Sequence, residues 1–480
     1  MSEAFDVVII GGGPAGYPCA IRAGQLGFKV ACIDAWLNRD NTPAFGGTCL
    51  NAGCIPSKAL LESSENYHRA QHEFAAHGIN IQGVTVDLAK MQARKQTVSR
   101  SLTSGIKQLF KANNVVGLEG FGKLLGNGEV EFKAHNGETK TLSAKHIVIA
   151  TGSEPVNLTK IAAFDGDKVV DSWGALDFAE VPKRLGIIGA GVIGVELGSV
   201  WSRLGAKTVI LEALPTFLPM VDVAVSRDAL RQLTKQGLDI RLGAKVLSTK
   251  VGKSGVTVEY EAEGAKKTEE FDKLIVAVGR RPNTKGLNAE ALGVAIDERG
   301  FVKVDQQNYK TNVSGIYAIG DVIGGAMLAH KGIEEGVALA EQLAGHHTQV
   351  NYNVIPSVIY TAPEVAWVGL SEEAAKAKGY EVKVGSGPFA ASGRAKAMEQ
   401  AAGTIKVIAD AKTDRILGVH MCGPYVSEIL AEAVLGMEFA ATCEDIALTM
   451  HAHPSLSETF HEAVLSVDGR AIHAVNKVKK

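Results

Sequence analysis

No apolar run in this chain approaches the 18 residues that a membrane-crossing helix needs, so none is expected. An excess of one charge is also missing. The 50 basic and 52 acidic side chains leave a formal net charge of −2, and attraction to nucleic acid or an anionic membrane has no electrostatic footing. The opening residues, Met1-Ser-Glu-Ala-Phe-Asp6, carry no basic stretch and run at once into apolar sequence. No secretory leader is expected, and the expected compartment is the cytoplasm. Cysteine is scarce, six in 480 residues, and no Cys/His cluster has the spacing of a zinc site. Cys19, Cys32, Cys422 and Cys443 are expected to be reduced core thiols. Lys477, Lys479 and Lys480 read as a solvated tail. What remains is a composition 46% hydrophobic and 21% charged, ordinary for a globular protein, over a length that suits about three domains.

The chain is organised around residues 46–58, Gly-Gly-Thr-Cys-Leu-Asn-Ala-Gly-Cys-Ile-Pro-Ser-Lys. Cys49 and Cys54 lie five apart. A bridge needs Cα atoms within roughly 7 Å, whereas five extended residues span roughly 16 Å. A regular helix points positions i and i+5 well apart around its axis. A bridge here therefore requires an irregular turn, which Gly46, Gly47 and Gly53 permit. Pro56 suits the first turn of a following helix, continued by Ala59, Leu60 and Leu61. Cys54 then sits near a helix N-terminus, where the dipole favours a thiolate, and Lys58 adds positive charge one turn on. The alternative is two separate buried thiols.

Asp6–Ile10 reads as a buried strand, followed by G-x-G-x-x-G at Gly11, Gly13 and Gly16, a helix over 20–27 and a second strand over 29–33 that ends at Asp34. That βαβ pattern places an acid 23 residues after the first glycine, suited to a nucleotide ribose, with the helix N-terminus facing phosphate. Pro18 falls inside the expected helix and predicts a distorted first turn. The same design recurs at Gly189, Gly191, Gly194, Gly205 and Glu212, and Gly11/Gly189, Gly27/Gly205 and Asp34/Glu212 are each 178 positions apart. Two similar dinucleotide sites follow. An acid at Glu212, with no basic residue after it until Arg227, favours the free 2′-hydroxyl of NAD over the 2′-phosphate of NADP. Three further strands empty into glycine turns, at Thr151-Gly-Ser153, at Gly279-Arg-Arg-Pro282 and at Gly320-Asp321.

From about 351 no nucleotide fingerprint appears. Strands over 357–360, 403–409 and 416–421 with helices over 372–378 and 426–440 predict an α+β domain. Its informative stretch is His451-Ala-His-Pro-Ser-Leu-Ser-Glu-Thr-Phe460. Ser455-Leu-Ser-Glu458 has the form of a capping box, and in the bland reading Glu458 only caps the last helix. In the functional reading His453, oriented by Glu458, takes the proton of an incoming dithiol. His451 is expected to be structural.

Taken together, the Gly-Gly-Thr-Cys-x-Asn-x-Gly-Cys-x-Pro-Ser-Lys motif, the two fingerprints and the His-Ala-His-Pro-x-Leu-Ser-Glu ending resemble the pyridine nucleotide–disulfide oxidoreductases over essentially the whole chain. The resemblance is greatest to the members that serve 2-oxo acid dehydrogenase complexes. It implies an α/β fold with two Rossmann-like dinucleotide-binding domains and a C-terminal α+β dimerisation domain. The implied ranges are 1–153 for FAD, 154–279 for NAD, 280–350 as a central segment completing the FAD region, and 351–480 as the interface. Implied chemistry is oxidation of protein-bound dihydrolipoamide through a Cys49–Cys54 disulfide and FAD to NAD, with Cys49 the exposed interchange sulfur.

The implied FAD contacts are Gly11, Gly13, Gly16, Asp34, Gly47, Thr48, Lys58, Gly122, Thr151, Gly152, Ser153, Asp321, Met327, Leu328, Ala329 and His330. Those for NAD are Gly189, Gly191, Gly194, Glu212, Val246 and Gly279. Lys58 and Glu196 resemble the ion pair of the family beside the reacting flavin nitrogen, and His453 and Glu458 its base and orienter, the base crossing from the second subunit of a homodimer. Implied partners are a lipoyl-bearing acyltransferase subunit or the lipoyl protein of glycine cleavage. Glutathione reductase is a rival that Glu212 opposes. Mercuric and large thioredoxin reductases carry an extra C-terminal redox pair, whereas the last cysteine here is Cys443. A non-catalytic scaffold of the same fold would show a degenerate cysteine pair, glycine loop or base, and none is degenerate.

Overall fold

The structure, a computed structural model, describes residues 3–476; the basic tail lies outside the described residues. The chain divides into two compact units. The first comprises Met1–Ala59, Ala89–Val156 and Gly279–Val350, and the second Leu60–Leu88, Asn157–Val278 and Asn351–Lys480. Among the described residues no helix is long and apolar enough to cross a membrane.

The first unit is built on β1 (Glu3–Ile10), α1 (Gly16–Gln25), β2 (Val30–Asp34), α2 (Gly47–Ala52), the start of α3 (Cys54–His72), α4 (Leu88–Ala112), β3 (Val115–Gly126), β4 (Glu129–Ala134) and β5 (Thr139–Ile149). β1 pairs in parallel with β2 on one side and β5 on the other, and strand Ile316–Ala318 extends the sheet beyond β5. β3 and β5 are long enough to do two jobs. Their inner portions join the parallel sheet, and their outer portions flank β4 in an antiparallel meander. Alternation along β1 sends Val7 and Ile9 into one core and Val8 and Ile10 into another, all buried. Each such apolar side chain removed from water contributes about 1.5–3 kcal/mol.

α1 runs unbroken through Pro18, because a residue so near the helix start lacks only an amide of the first turn. The first turn carries one stretched bond, Cys19 N to Ala15 O at 3.4 Å, beside a normal 3.0 Å bond from Tyr17 N to Gly13 O. Helix Ala329–Leu343 packs on α1 at close range. A Cβ on Gly336 would come within 2.4 Å of the Ala15 carbonyl.

The second unit contains a five-stranded parallel sheet in the order Asp239–Arg241, Lys207–Leu211, Arg184–Ile188, Lys273–Val276, Val169–Val170. It also holds a three-stranded antiparallel sheet over Lys245–Phe271. Its third sheet is antiparallel, in the order Ser357–Ile359, Glu364–Gly369, Ile416–Gly423, Thr404–Asp410, Val382–Pro388. Helices Val426–Glu438 and Glu458–Val467 cover that sheet through a core that includes Phe389, Met421 and Phe460. Strands Glu364–Gly369 and Val382–Pro388 are additions to the sequence reading, which found the other three. Val382–Pro388 carries two glycines and a terminal proline, which weaken the strand signal, yet it seats on the last helix.

An ionic cluster ties the parallel-sheet portion of this unit to the C-terminal sheet. Lys406 Nζ lies 2.8 Å and 2.7 Å from Asp222 and Glu372, and Asp222 N donates to His420 Nδ1 at 3.0 Å.

Candidate active site

The cysteine segment is two helices broken at one residue. α2 carries Cys49 and ends at Ala52, Gly53 adopts φ −143° and ψ −115°, and Cys54 is the first residue of the 19-residue α3. That break is the irregular turn that a bridge across this five-residue spacing would need. A Cβ on Gly53 would stand 2.9 Å from the Thr48 carbonyl and 3.3 Å from Cys49 Cα, so glycine lets the turn close on itself. Both cysteines are reduced thiols, joined by a side-chain hydrogen bond. That bond is the first cause that pushes the Cys49 thiol far up; burial and the charge of a Cys54 thiolate add to it, and Lys58 opposes it.

Exposure departs from the expected order. Cys54 is exposed and Cys49 half-buried, because α2 lays Cys49 against the core that contains Phe45 and Leu50. Cys19, Cys32, Cys422 and Cys443 are buried free thiols. Burial pushes Cys19 and Cys443 up to about 12, out of reach of redox chemistry at neutral pH.

The segment is docked on the first glycine loop. Gly46 N donates to the Gly12 carbonyl at 2.8 Å, and the Cβ position of Gly47 is 2.8 Å from Gly13 Cα. Thr48 lies in the same helix, α2. Within the loop the three glycines have different reasons. A Cβ on Gly11 would lie 2.2 Å from the Ala150 carbonyl, and one on Gly16 would lie 1.8 Å from that of Gly11. At Gly13 the nearest atom to such a Cβ is 3.7 Å away, which leaves a cradle beside exposed backbone.

The second copy repeats this. A Cβ on Gly189 would be 2.5 Å from the Ala277 carbonyl and one on Gly194 2.0 Å from Gly189 O, while Gly191 has nothing within 4 Å. Both cradles fit the close approach of a dinucleotide pyrophosphate.

The strand-end acids are also equivalent. Asp34 accepts from Gly12 N and Trp36 N, each at 3.0 Å. Glu212 accepts from Ala190 N at 2.8 Å and Leu214 N at 2.9 Å. Burial raises the Asp34 carboxyl to about 6 against these two bonds. Val246 is buried on strand Lys245–Val251, and Gly279 opens its turn with φ +119° and nothing within 4 Å of its Cβ position. Gly122 has a packing role, since a Cβ there would meet Ile10 at 2.9 Å.

Three separate turns converge in the first unit. Ser153 Oγ donates to Asp321 at 2.5 Å and accepts from Arg280 Nε at 2.7 Å, Arg280 also reaches the Ser153 carbonyl at 2.6 Å, and Thr151 Oγ1 donates to Asn283 O at 2.6 Å. Asn283 N returns to the Gly152 carbonyl at 2.9 Å. The Gly320-Asp321 turn is fixed from below by a buried pair, Lys331 and Glu335. Glu335 accepts from Gly320 N at 2.7 Å, and Lys331 reaches Glu335 at 2.9 Å and Gly324 O at 3.1 Å. Met327, Leu328 and Ala329 are half-buried and His330 exposed where this turn enters the helix. The sequence reading missed Arg280, Lys331 and Glu335. The Arg-Arg-Pro after Gly279 and the i, i+4 lysine–glutamate spacing were the available signals.

Lys58 is half-buried on α3 in the first unit. In the second, Glu196 is buried on helix Val192–Arg203 and accepts from Tyr360 N at 2.9 Å.

His453 Nδ1 faces Glu458 Oε1 at 2.8 Å, and Ser455 N donates to Oε2 at 2.8 Å. The capping box is only half formed. The helix starts at Glu458, and Ser455 Oγ pairs with Ser457 Oγ at 3.0 Å instead of capping it. Burial works to raise the Glu458 carboxyl but is outweighed by the Ser455 N–H, the His453 bond and the charges of His453 and His473, so it lies below its ordinary value. His451 is held between Glu432 at 2.6 Å and Thr449 O at 2.9 Å, a structural tie as expected.

Comparison with known proteins agrees over nearly the full length. The family model of pyridine nucleotide-disulphide oxidoreductases matches residues 5–336, and that of their dimerisation domain residues 355–464. The chain is 51% identical to dihydrolipoyl dehydrogenase of Cupriavidus necator, over 98% of this chain and 100% of that one. It is 48% identical to dihydrolipoyl dehydrogenase 3 of Pseudomonas putida, over 98% and 99%. Among solved structures, the HOCl-induced flavoprotein disulfide reductase RclA of Escherichia coli aligns with TM-score 0.84 at 28% identity, over 97% of this chain and 99% of that one.

Proposed function

The chain belongs to the pyridine nucleotide–disulphide oxidoreductase family, and on that premise we propose that it oxidises protein-bound dihydrolipoamide to lipoamide with NAD as final acceptor. The observation that carries the reading is the docking of α2 on the first glycine loop, which fixes the cysteine pair beside a dinucleotide cradle. Bound FAD supplies a two-electron acceptor for the pair, and bound NAD the final hydride acceptor.

The residues of the chain do the rest. His453, with Nδ1–H directed to Glu458, presents Nε2 as the acceptor for a substrate thiol proton. The resulting thiolate attacks Cys49, a mixed disulfide forms, and Cys54 leaves as a thiolate at the start of α3, where the helix dipole stabilises it. Attack by the second substrate sulfur on the sulfur bonded to Cys49 then releases the cyclic disulfide. In this reading Cys49 is the interchange sulfur and Cys54 the sulfur from which bound FAD would take electrons. Ser153, itself held by Arg280, positions Asp321, which would bind the ribityl chain of FAD; Lys58 would serve the flavin end, and Glu212 would select NAD.

The protein acts as a homodimer in which the base of one subunit serves the cysteine pair of the other. The dimerisation domain and the outward Phe439, Leu448 and Met450, 79%, 76% and 95% exposed, support that assembly. Its partner is the lipoyl-bearing acyltransferase subunit of a 2-oxo acid dehydrogenase complex, or the lipoyl protein of glycine cleavage. Buried unpaired cysteines accord with a reducing cytoplasm. Steady-state turnover with dihydrolipoamide, glutathione, NAD and NADPH tests the reading. Activity confined to dihydrolipoamide with NAD supports it, and glutathione disulfide reduction by NADPH would replace it with the rival.

A further inference from the structure

Four histidines surround the start of the last helix, and they divide in two. His451 and His461 stack with ring centroids 4.5 Å apart and direct their ring nitrogens to Glu432, Thr449 O and Ala447 O. His453 and His473 do otherwise. Each offers Nδ1 to one oxygen of a glutamate, at 2.8 Å to Glu458 and 3.1 Å to Glu462, and each glutamate takes main-chain N–H on its second oxygen. Among the described residues Nε2 of neither ring has a hydrogen-bond partner, and both rings are open to solvent, 80% and 70% exposed. Glu458 and Glu462 are four residues apart in one helix, hence on one face and roughly 6 Å apart along the axis. The second dyad repeats the first one turn down.

We propose that His473, oriented by Glu462, is a proton carrier that receives from His453 the proton released in each turnover and passes it to solvent. The inference rests on the proposed dithiol oxidation. In that reaction the dithiol loses two electrons and two protons, and NAD gains two electrons and one proton. One proton per turnover must therefore leave through the base for it to act again. Glu458 and Glu462 share one face of the helix, so the two dyads lie one turn from each other. The other charged groups near this helix start are committed to each other: Arg470 pairs with Glu444, and His451 with Glu432.

The test is His473→Gln in the flavin-loaded dimer, because the glutamine leaves intact the N–H bonds of Ile472 and His473 to Glu462 that tether this segment. With dihydrolipoamide and NAD, kcat in dilute buffer is expected to fall several-fold with KM unchanged, and added imidazole to restore it. Glu462→Gln is expected to show a smaller loss with the same rescue, and melting temperature and flavin content to stay at wild type. Wild-type kcat for His473→Gln in dilute buffer, or a loss that imidazole does not restore, overturns the relay and leaves the dithiol reaction standing. A wild-type protein that does not oxidise dihydrolipoamide with NAD overturns both.

Discussion

The imidazole of His453 is aimed by Glu458, Nδ1 to Oε1 at 2.8 Å, while the other carboxylate oxygen holds the Ser455 N–H at 2.8 Å. One carboxylate thus fixes both the ring and the chain that carries it. Glu458→Gln can accept on one side only, so either the ring or the backbone loses its partner. The expected result is a fall of about 100-fold in oxidation of dihydrolipoamide by NAD. Reduction of an artificial dye by NADH, which needs no thiol proton, should be unaffected.

Glu212 takes two backbone N–H groups at the end of its strand, and in the proposed function its charge opposes a 2′-phosphate. The wild-type protein is expected to prefer NADH strongly over NADPH in the reverse reaction. Glu212→Gln removes the repulsion and should narrow the preference by roughly tenfold, about 1.4 kcal/mol. The ratio of kcat/KM values for the two coenzymes reads it directly.

The glycines of the second fingerprint are separable. Gly191 has no atom within 4 Å of its Cβ position, whereas that of Gly194 lies 2.0 Å from Gly189 O. Gly191→Ala is expected to keep the melting temperature and weaken NAD binding, because its methyl group fills the cradle. Gly194→Ala forces the helix away from the strand at a cost of about 1–3 kcal/mol. Thermal melting alongside titration with NAD distinguishes the two.

His420 is fully buried, accepts the Asp222 N–H at 3.0 Å, and is pushed down to about 4 by burial. A depressed histidine stays neutral in the fold while the unfolded chain takes up a proton. Its contribution is therefore full above about pH 6.5 and is lost as pH falls to about 4, a change of about 3 kcal/mol. Below that the Asp222–Lys406–Glu372 cluster adds to the loss, because the carboxyl of Glu372, lowered to about 2 by Lys376 and Lys406, binds protons more readily when unfolded. His420→Asn retains an acceptor for Asp222 and should flatten the melting temperature between pH 6.5 and 4. An unchanged slope would assign the acid sensitivity elsewhere.

Both dinucleotide units were legible because their signals are local. Three glycines and an acid within 24 residues encode strand, turn and helix, and the constant offset exposed the duplication. The break between Cys49 and Cys54 was legible for the same reason, since a bridge between residues five apart excludes a regular element and Gly53 marks the turn. What escaped depends on distant partners. Arg280 meets Ser153 across 127 positions and Ser153 meets Asp321 across 168, and no local pattern predicts such bonds. The order of exposure of the two cysteines depended on which side α2 packs. The second dyad was hidden because Glu462 and His473 belong to no short motif and meet only where the chain turns back after the last helix.

The central claim is that Cys49 and Cys54 exchange a disulfide with the substrate. The direct measurement is differential alkylation followed by mass spectrometry. The oxidised dimer and the dimer treated anaerobically with one equivalent of dihydrolipoamide per subunit are each quenched with iodoacetamide. The account predicts that Cys49 and Cys54 are protected in the first sample and alkylated in the second, with oxidised lipoamide formed in equal amount. Labelling of both cysteines before any reductant is added, or lipoamide formed while the pair stays unreactive, would contradict it.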